Sequence, residues 1–164
     1  MFEKGMYIMY KNEVCKIVDI RKNKYNNLDC YILKPLFDNS LTINVPTDNK
    51  NGYLRKLLTK KQVEDLLKEI PNIKVINTDL KNMENEYRSL LYTLKHEDLI
   101  KIIKTTYLRN KKRLESKRSI GEKDKEYFNK AEKVLYNELS VVLDKTYDET
   151  KKYVISKVSE NEKK

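Results

Sequence analysis

The hydrophobic period of this chain changes once, just after Pro46, and no other feature constrains its fold as strongly. Upstream, apolar and β-branched residues recur at alternate positions in four short segments, 6–10, 14–20, 30–36 and 41–45. These read as strands of a small antiparallel sheet or barrel. The polar stretch 21–29 contains Asn26-Asn27, a pair that tolerates left-handed backbone and so suits a hairpin. Asp38-Asn39-Ser40 marks a second turn. Downstream, the period becomes about 3.6 and, of the chain's three glycines and three prolines, only Gly52, Pro71 and Gly121 remain. That part should be helical.

Helix starts are marked by hydroxyl residues. Thr59 with Gln62 has the spacing of a capping box and opens the apolar set Val63, Leu66, Leu67 and Ile70, which Pro71 helps to end. Ser119 with Glu122, and Thr146 with Glu149, repeat the signal before two more amphipathic stretches. Between them, Leu80, Met83, Tyr87, Leu90, Leu91 and Leu94, then Leu99, Ile102, Ile103 and Tyr107, fall at helical spacing. The reading is an α+β chain: a sheet domain over 1–70, a linker over 71–78 and an all-α domain over 79–164 that ends in a frayed charged tail from Glu160.

Chemistry is sparse. The three glycines form no phosphate-binding loop. Cys15 and Cys30 sit in apolar strand segments without the close pairing of a metal site, and are read as reduced core thiols. His96, the only histidine, stands in the polar run Lys95-His96-Glu97-Asp98 and reads as a solvated turn residue. Carboxylates such as Glu64-Asp65 and Glu97-Asp98 are mixed with lysines at helical spacing, as on a solvated face. No enzyme activity, cofactor or metal is expected. No apolar run approaches the roughly 18 residues of a membrane span, and a cytoplasmic monomer is expected.

Charge points to a partner. The formal net charge is +10, which favours polyanions. Its distribution is uneven: residues 1–58 carry a net of +4, whereas residues 101–118 hold eight basic side chains against Glu115 alone, a net of +7. Lysine and arginine at that density neutralise phosphates and release counterions. A membrane surface is disfavoured, because the stretch lacks Trp or Phe anchors.

Several segments resemble, in order, the CarD/CdnL family of bacterial transcription regulators. In the first half these are Phe2-Glu3-Lys4-Gly5-Met6-Tyr7-Ile8-Met9-Tyr10, Tyr31-Ile32-Leu33-Lys34, Leu41-Thr42-Ile43-Asn44-Val45-Pro46 and Gly52-Tyr53-Leu54-Arg55. In the second half they are Ser119-Ile120-Gly121-Glu122-Lys123, Ala131, Leu135 and Asn137-Glu138-Leu139. The resemblance covers nearly the whole chain. It implies a Tudor-like barrel, related to the polymerase-interacting domain of the transcription-repair coupling factor, that binds the β subunit of RNA polymerase. It also implies a helical domain that contacts promoter double-stranded DNA at the upstream edge of the bubble and stabilises the open complex.

Residue by residue, the resemblance implies polymerase contacts from Lys22, Lys24, Ile43, Asn44 and Arg55, and DNA contacts from Met83, Arg88 and Lys123, with Lys111, Lys112 and Arg113 as supporting charges. Lys123 is the leading candidate, just past a capped helix start whose free amides attract phosphate. Two departures stand out. The family's wedge tryptophan is replaced by Met83, and its strand arginines by Asn44 and by Lys22-Asn23-Lys24. A competing reading is a protein-interaction module on polymerase or a repair factor with no functional DNA binding. RNA binding, through twelve tyrosines, lacks any matching motif.

Overall fold

The computed structural model describes residues 1–162, with the side chains of residues 23–25 outside the description. The chain divides into two compact units, Met1–Leu58 and Thr59–Lys164. The first holds five strands, β1 (Tyr7–Tyr10), β2 (Glu13–Tyr25), β3 (Leu28–Pro35), β4 (Ile43–Pro46) and β5 (Leu54–Lys56). The second holds α1 (Lys60–Glu69), α2 (Met83–Leu91), α3 (His96–Glu115), α4 (Glu122–Leu143) and α5 (Tyr147–Glu162), with short 3₁₀ turns at Ile70–Asn72 and Leu80–Asn82. The α+β reading, strands first and helices after, is what the structure has.

All strand pairs are antiparallel, and the sheet is open, in the order β4-β3-β2-β1-β5. Alternation buries Ile8, Cys15, Ile17, Tyr31, Leu33, Val45 and Leu54 in one cluster, with Phe2, Met6, Tyr10, Ile20 and Ile43 packed against it. Both cysteines are buried and free. Burial, with the Glu13 charge beside it, pushes the Cys15 thiol up to about 12, so it stays protonated and unreactive at neutral pH. Asn26 and Asn27 both take positive φ, 47° and 61°, and make the tight two-residue hairpin turn between β2 and β3. Because such a turn consumes only two residues, the strands run through the polar stretch that the sequence reading left as a connection.

One strand has no counterpart in the sequence reading. β5 is three residues long and pairs with β1 through Met9 and Arg55. A side chain substitutes for a strand neighbour: Asn49 Nδ2 donates to the Leu54 carbonyl, and its Oδ1 accepts the Leu54 amide, both at 3.0 Å. Gly52, at φ +71°, turns the chain into this clasp.

In the second unit the Thr59–Gln62 capping box forms as expected. Helix α1, however, lies in the helical unit and not with the sheet. Its Glu64 carboxylate accepts a hydrogen bond from Tyr153 on α5 at 2.5 Å, and its Leu67 carbonyl accepts one from Asn161 at 3.2 Å. The latter bond also holds α5 helical past Glu160, where fraying was expected. Residues 71–78 are likewise no free linker: Lys104 Nζ donates to the carbonyls of Ile70 (2.8 Å) and Ile73 (2.6 Å), and the Ile76 amide donates to Thr105 Oγ1 (2.9 Å). The division therefore falls at Leu58, twelve residues ahead of the expected domain end at 70.

His96 is also not a solvated turn residue. It opens α3 with its Nε2 2.8 Å from Glu138 Oε1, deep in α4, where Glu138 is 1% exposed. Among the described residues no helix is long and apolar enough to cross a membrane.

Two measurements check this account. Fragment 1–58 should unfold cooperatively by itself, whereas 1–70 should add an unpartnered apolar stripe, Val63 and Leu67, and bind a hydrophobic dye. Equal dye binding by both fragments would place α1 with the sheet after all. Replacing His96 by alanine removes a partner from a buried carboxylate, and should cost about 1–3 kcal/mol in urea unfolding. A loss no larger than that of an exposed alanine substitution would show the pair to be inert.

Candidate nucleic-acid interface

One buried carboxylate joins the three helices that carry the basic candidates. Asp124, at the third position of α4, is 4% exposed. It accepts a hydrogen bond from the Tyr87 hydroxyl of α2 at 2.7 Å, and from Arg109 Nε of α3 at 3.0 Å to one oxygen and 3.2 Å to the other. Three helices are thereby fixed at one point. Burial, and then the Asp124 bond, push the Tyr87 hydroxyl well above its ordinary value, so it remains a donor.

The approach of α3 to α4 explains Gly121. A Cβ there would lie 3.3 Å from Arg113 Nε and 3.3 Å from Asp124 Oδ2, tight enough that one of these side chains would have to move by a few tenths of an ångström. The expected Ser119 capping box does not form. Gly121 is the N-cap, with no side-chain cap bond, and its own amide is taken by Asn110 Oδ1 at 2.9 Å. The third position, where a capping box keeps its glutamate, holds Asp124, already committed to Arg109 and Tyr87.

Upstream, α3 ends without glycine. Lys117 adopts φ 60°, its amide bonds Leu114 O, and the Arg118 amide bonds Arg113 O at 2.8 Å. This is a Schellman closure with a lysine in the left-handed position. It leaves Lys117 and Arg118 exposed.

Lys123 stands exposed at the second position of α4, 3.3 Å from Glu84 of α2 and 3.5 Å from Glu126. Arg88 lies 3.3 Å from the same Glu84 oxygen, and Lys130 lies 2.9 Å from Glu126 and 5.1 Å from the Tyr127 ring centroid. The structure thus brings Arg88 and Lys123 together, as three cations and two carboxylates on a face shared by α2 and α4. The Glu84 and Glu126 carboxylates hold the Lys123 ammonium above its ordinary value, and the Lys130 and Lys123 ammonium groups hold Glu126 below its own. Exposed pairs of this kind contribute little to stability, so an incoming phosphate can exchange with them.

Other candidates are not brought to this face. Met83 is 6% exposed and belongs to the buried stripe Met83, Tyr87 and Leu91 of α2, so a wedge at this position is contradicted by its burial. The exposed apolar side chain at this end of α2 is Leu80, 74% exposed in the turn ahead of the helix. Lys111 and Lys112 are exposed near the C-terminal end of α3, and Arg113 is half-buried against Gly121. The strongly basic stretch 101–118 is also less available than its sequence suggests. Lys101 pairs with Glu97 (3.7 Å) and Asp98 (3.6 Å), Lys104 is bound to two carbonyls, and Arg109 is spent on Asp124.

In the first unit the polymerase candidates that the structure describes are spread over three strands. Ile43 and Asn44 lie on β4, one sheet edge, and Arg55 on β5, the other. Ile43 packs on the core, while Asn44 is exposed. Lys22 is 3.1 Å from Asp29, and the Lys24 side chain lies outside the described residues. Among the described residues no group of three His, Cys, Asp or Glu is placed to hold a metal.

Sequence reasoning missed Asp124, Arg109 and Tyr87 as a unit, since nothing local distinguishes a carboxylate whose partners lie 15 and 37 residues away. Removing it exposes the dependence. Asp124→Ala leaves Arg109 and the Tyr87 hydroxyl without their acceptor, and should cost about 3–5 kcal/mol in urea unfolding. A loss below about 1 kcal/mol would mean that the three helices are fixed by packing alone.

No family model matches the chain, and no curated protein matches it.

Proposed function

We propose that this chain is a non-enzymatic transcription regulator of the CarD type, cytoplasmic and acting as a monomer. In this reading the first unit binds the RNA polymerase β subunit, and the second binds promoter double-stranded DNA at the upstream edge of the bubble. The observation that carries the reading is the pairing of Arg88 with Lys123 across Glu84, on a frame fixed by Asp124. Lys123 lies in the first turn of α4, where free amides and the helix dipole add attraction for phosphate. Lys112 on α3, and Lys117 and Arg118 in the turn after it, are further exposed cations of the same unit.

For the first unit, two register shifts along the β2–β3 pair support reading the open sheet as a Tudor-like, partly closed barrel, because bulges bend strands. β4 pairs only with β3, so its other side offers main-chain groups to a partner strand with little demand on side chains. Asn44, exposed on that edge, fits this mode, whereas Arg55 on the opposite edge does not.

With Met83 buried, the open complex would be favoured by charge. A protein that binds open DNA better than closed shifts the equilibrium by its differential affinity, and no chemical step is required. The second reading, an interaction module without DNA binding, draws on Glu84 and Glu126, which already occupy the cations of the α2–α4 face.

Salt separates the two. Lys123→Ala should weaken binding to duplex DNA about equally across sequences, and should lower the slope of log affinity against log salt by about one. An unchanged slope would remove Lys123 from the DNA surface, and salt-independent retention of the native chain would favour the interaction module.

A further inference from the structure

Opposite the Lys123 face, α3 and α4 leave an apolar groove of about 370 Å³. Its floor is formed by Tyr107, Leu114, Ile120 and Phe128, and its charged rim by Lys111 and Lys125. Leu114 is 57% exposed, and Tyr107 and Ile120 are also among the exposed large apolar residues, so the chain leaves substantial greasy surface open to water here. At 3.6 residues per turn, Lys125 and Phe128 fall on the side of α4 away from Lys123, Glu126 and Lys130. Tyr107 and Phe128 also line a second hollow of about 440 Å³ that continues between α3, α4 and α5. The two hollows adjoin, and from Tyr107 to Leu114 the floor already spans two helical turns, about 10 Å.

We propose that this groove docks an acidic amphipathic helix of a partner protein, with its apolar side chains on the Tyr107–Leu114 floor and its carboxylates on Lys111 and Lys125. Charge complementarity identifies the occupant. Both charged residues lining this groove are lysines, and the carboxylate lining the adjoining hollow, Glu132, is paired with Lys151 at 3.1 Å, so a basic segment would be repelled and an acidic one drawn in. The apolar floor distinguishes peptide from duplex: a phosphodiester backbone has nothing to bury there, whereas an amphipathic helix offers anchors at i, i+3, i+4 and i+7. A concave floor that is half aliphatic is also a poor stacking platform for unpaired bases. Because the groove and the Lys123 face lie on opposite sides of α4, both can be occupied together. The inference stands even where the reading of Lys123 as a phosphate contact fails.

The test uses the full chain, isotope-labelled for amide NMR, and three probes: a helical peptide with leucines at i, i+4 and i+7 among glutamates, the same peptide with lysines for glutamates, and a short duplex DNA. The glutamate peptide should shift the amides of Tyr107, Leu114, Ile120, Lys125 and Phe128 and leave those of Arg88 and Lys123 in place. The lysine peptide should shift none. Leu114→Glu, at an exposed position where folding is retained, should weaken the glutamate peptide by about tenfold, and so should Lys111→Glu with Lys125→Glu. Four results would overturn the proposal: no shifts with the glutamate peptide, equal shifts with the lysine peptide, groove shifts caused by the duplex, or a concentration-dependent dimer of the free chain that Leu114→Glu abolishes. The third would assign the groove to DNA and the fourth to a second copy.

Discussion

A buried carboxylate is costly unless its oxygens are filled, and Asp124 is filled by a guanidinium and a phenol from two other helices. Its position near the start of α4 adds the helix dipole, which favours negative charge there. These three contributions offset desolvation only while α2, α3 and α4 keep one relative placement. The same placement presses Arg113 onto Gly121 and leaves Lys123 facing Glu84. The orientation of the basic face thus follows from an interior interaction and owes little to the exposed ion pairs upon it.

The division of labour between strands and helices was legible because it depends on local period. Four strands and five helices fall close to where alternation and helical spacing placed them, and the Asn26-Asn27 turn follows from side-chain tolerance of positive φ. What was not legible depends on which partner a local element finds. The stripe of α1 is evident, yet Val63 and Leu67 do not say which core they enter, and the answer lies in Tyr153 and Asn161, some ninety residues on. β5 is too short to show a period, and is held by the Asn49 side chain. For His96, polar neighbours in sequence concealed a partner 42 residues away.

Met83 shows how the two kinds of signal compete. Its spacing with Tyr87 and Leu91 is that of a core stripe, and all three are buried. The resemblance placed it instead at a wedge position on the strength of Asn82 before it and Arg88 after it. Packing decided the matter, since a thioether at the first turn of a short helix fills the space that the stripe must close. Arg88 is not part of that stripe and is exposed.

Formal charge needs a similar discount. The eight basic residues of 101–118 make one patch in sequence, but Lys104 and Arg109 are drawn inward by carbonyls and a carboxylate, and Lys101 is paired along its own helix. What remains exposed of that stretch is Lys111, Lys112, Lys117 and Arg118, and the lysines of α4 are themselves divided, with Lys123 and Lys130 on one side and Lys125, beside Lys111, on the other. On the proposed reading, three cations compensated by two carboxylates would bind duplex DNA weakly, with an affinity that falls with salt. Weak contact is sufficient when another part of the same chain is already held nearby, because tethering raises the effective concentration to the millimolar range for short linkers. On the proposed reading, polymerase capture by the β4 edge would supply that tether. A modest, salt-sensitive face on α2 and α4 would then respond to promoter DNA only where polymerase had brought the two together.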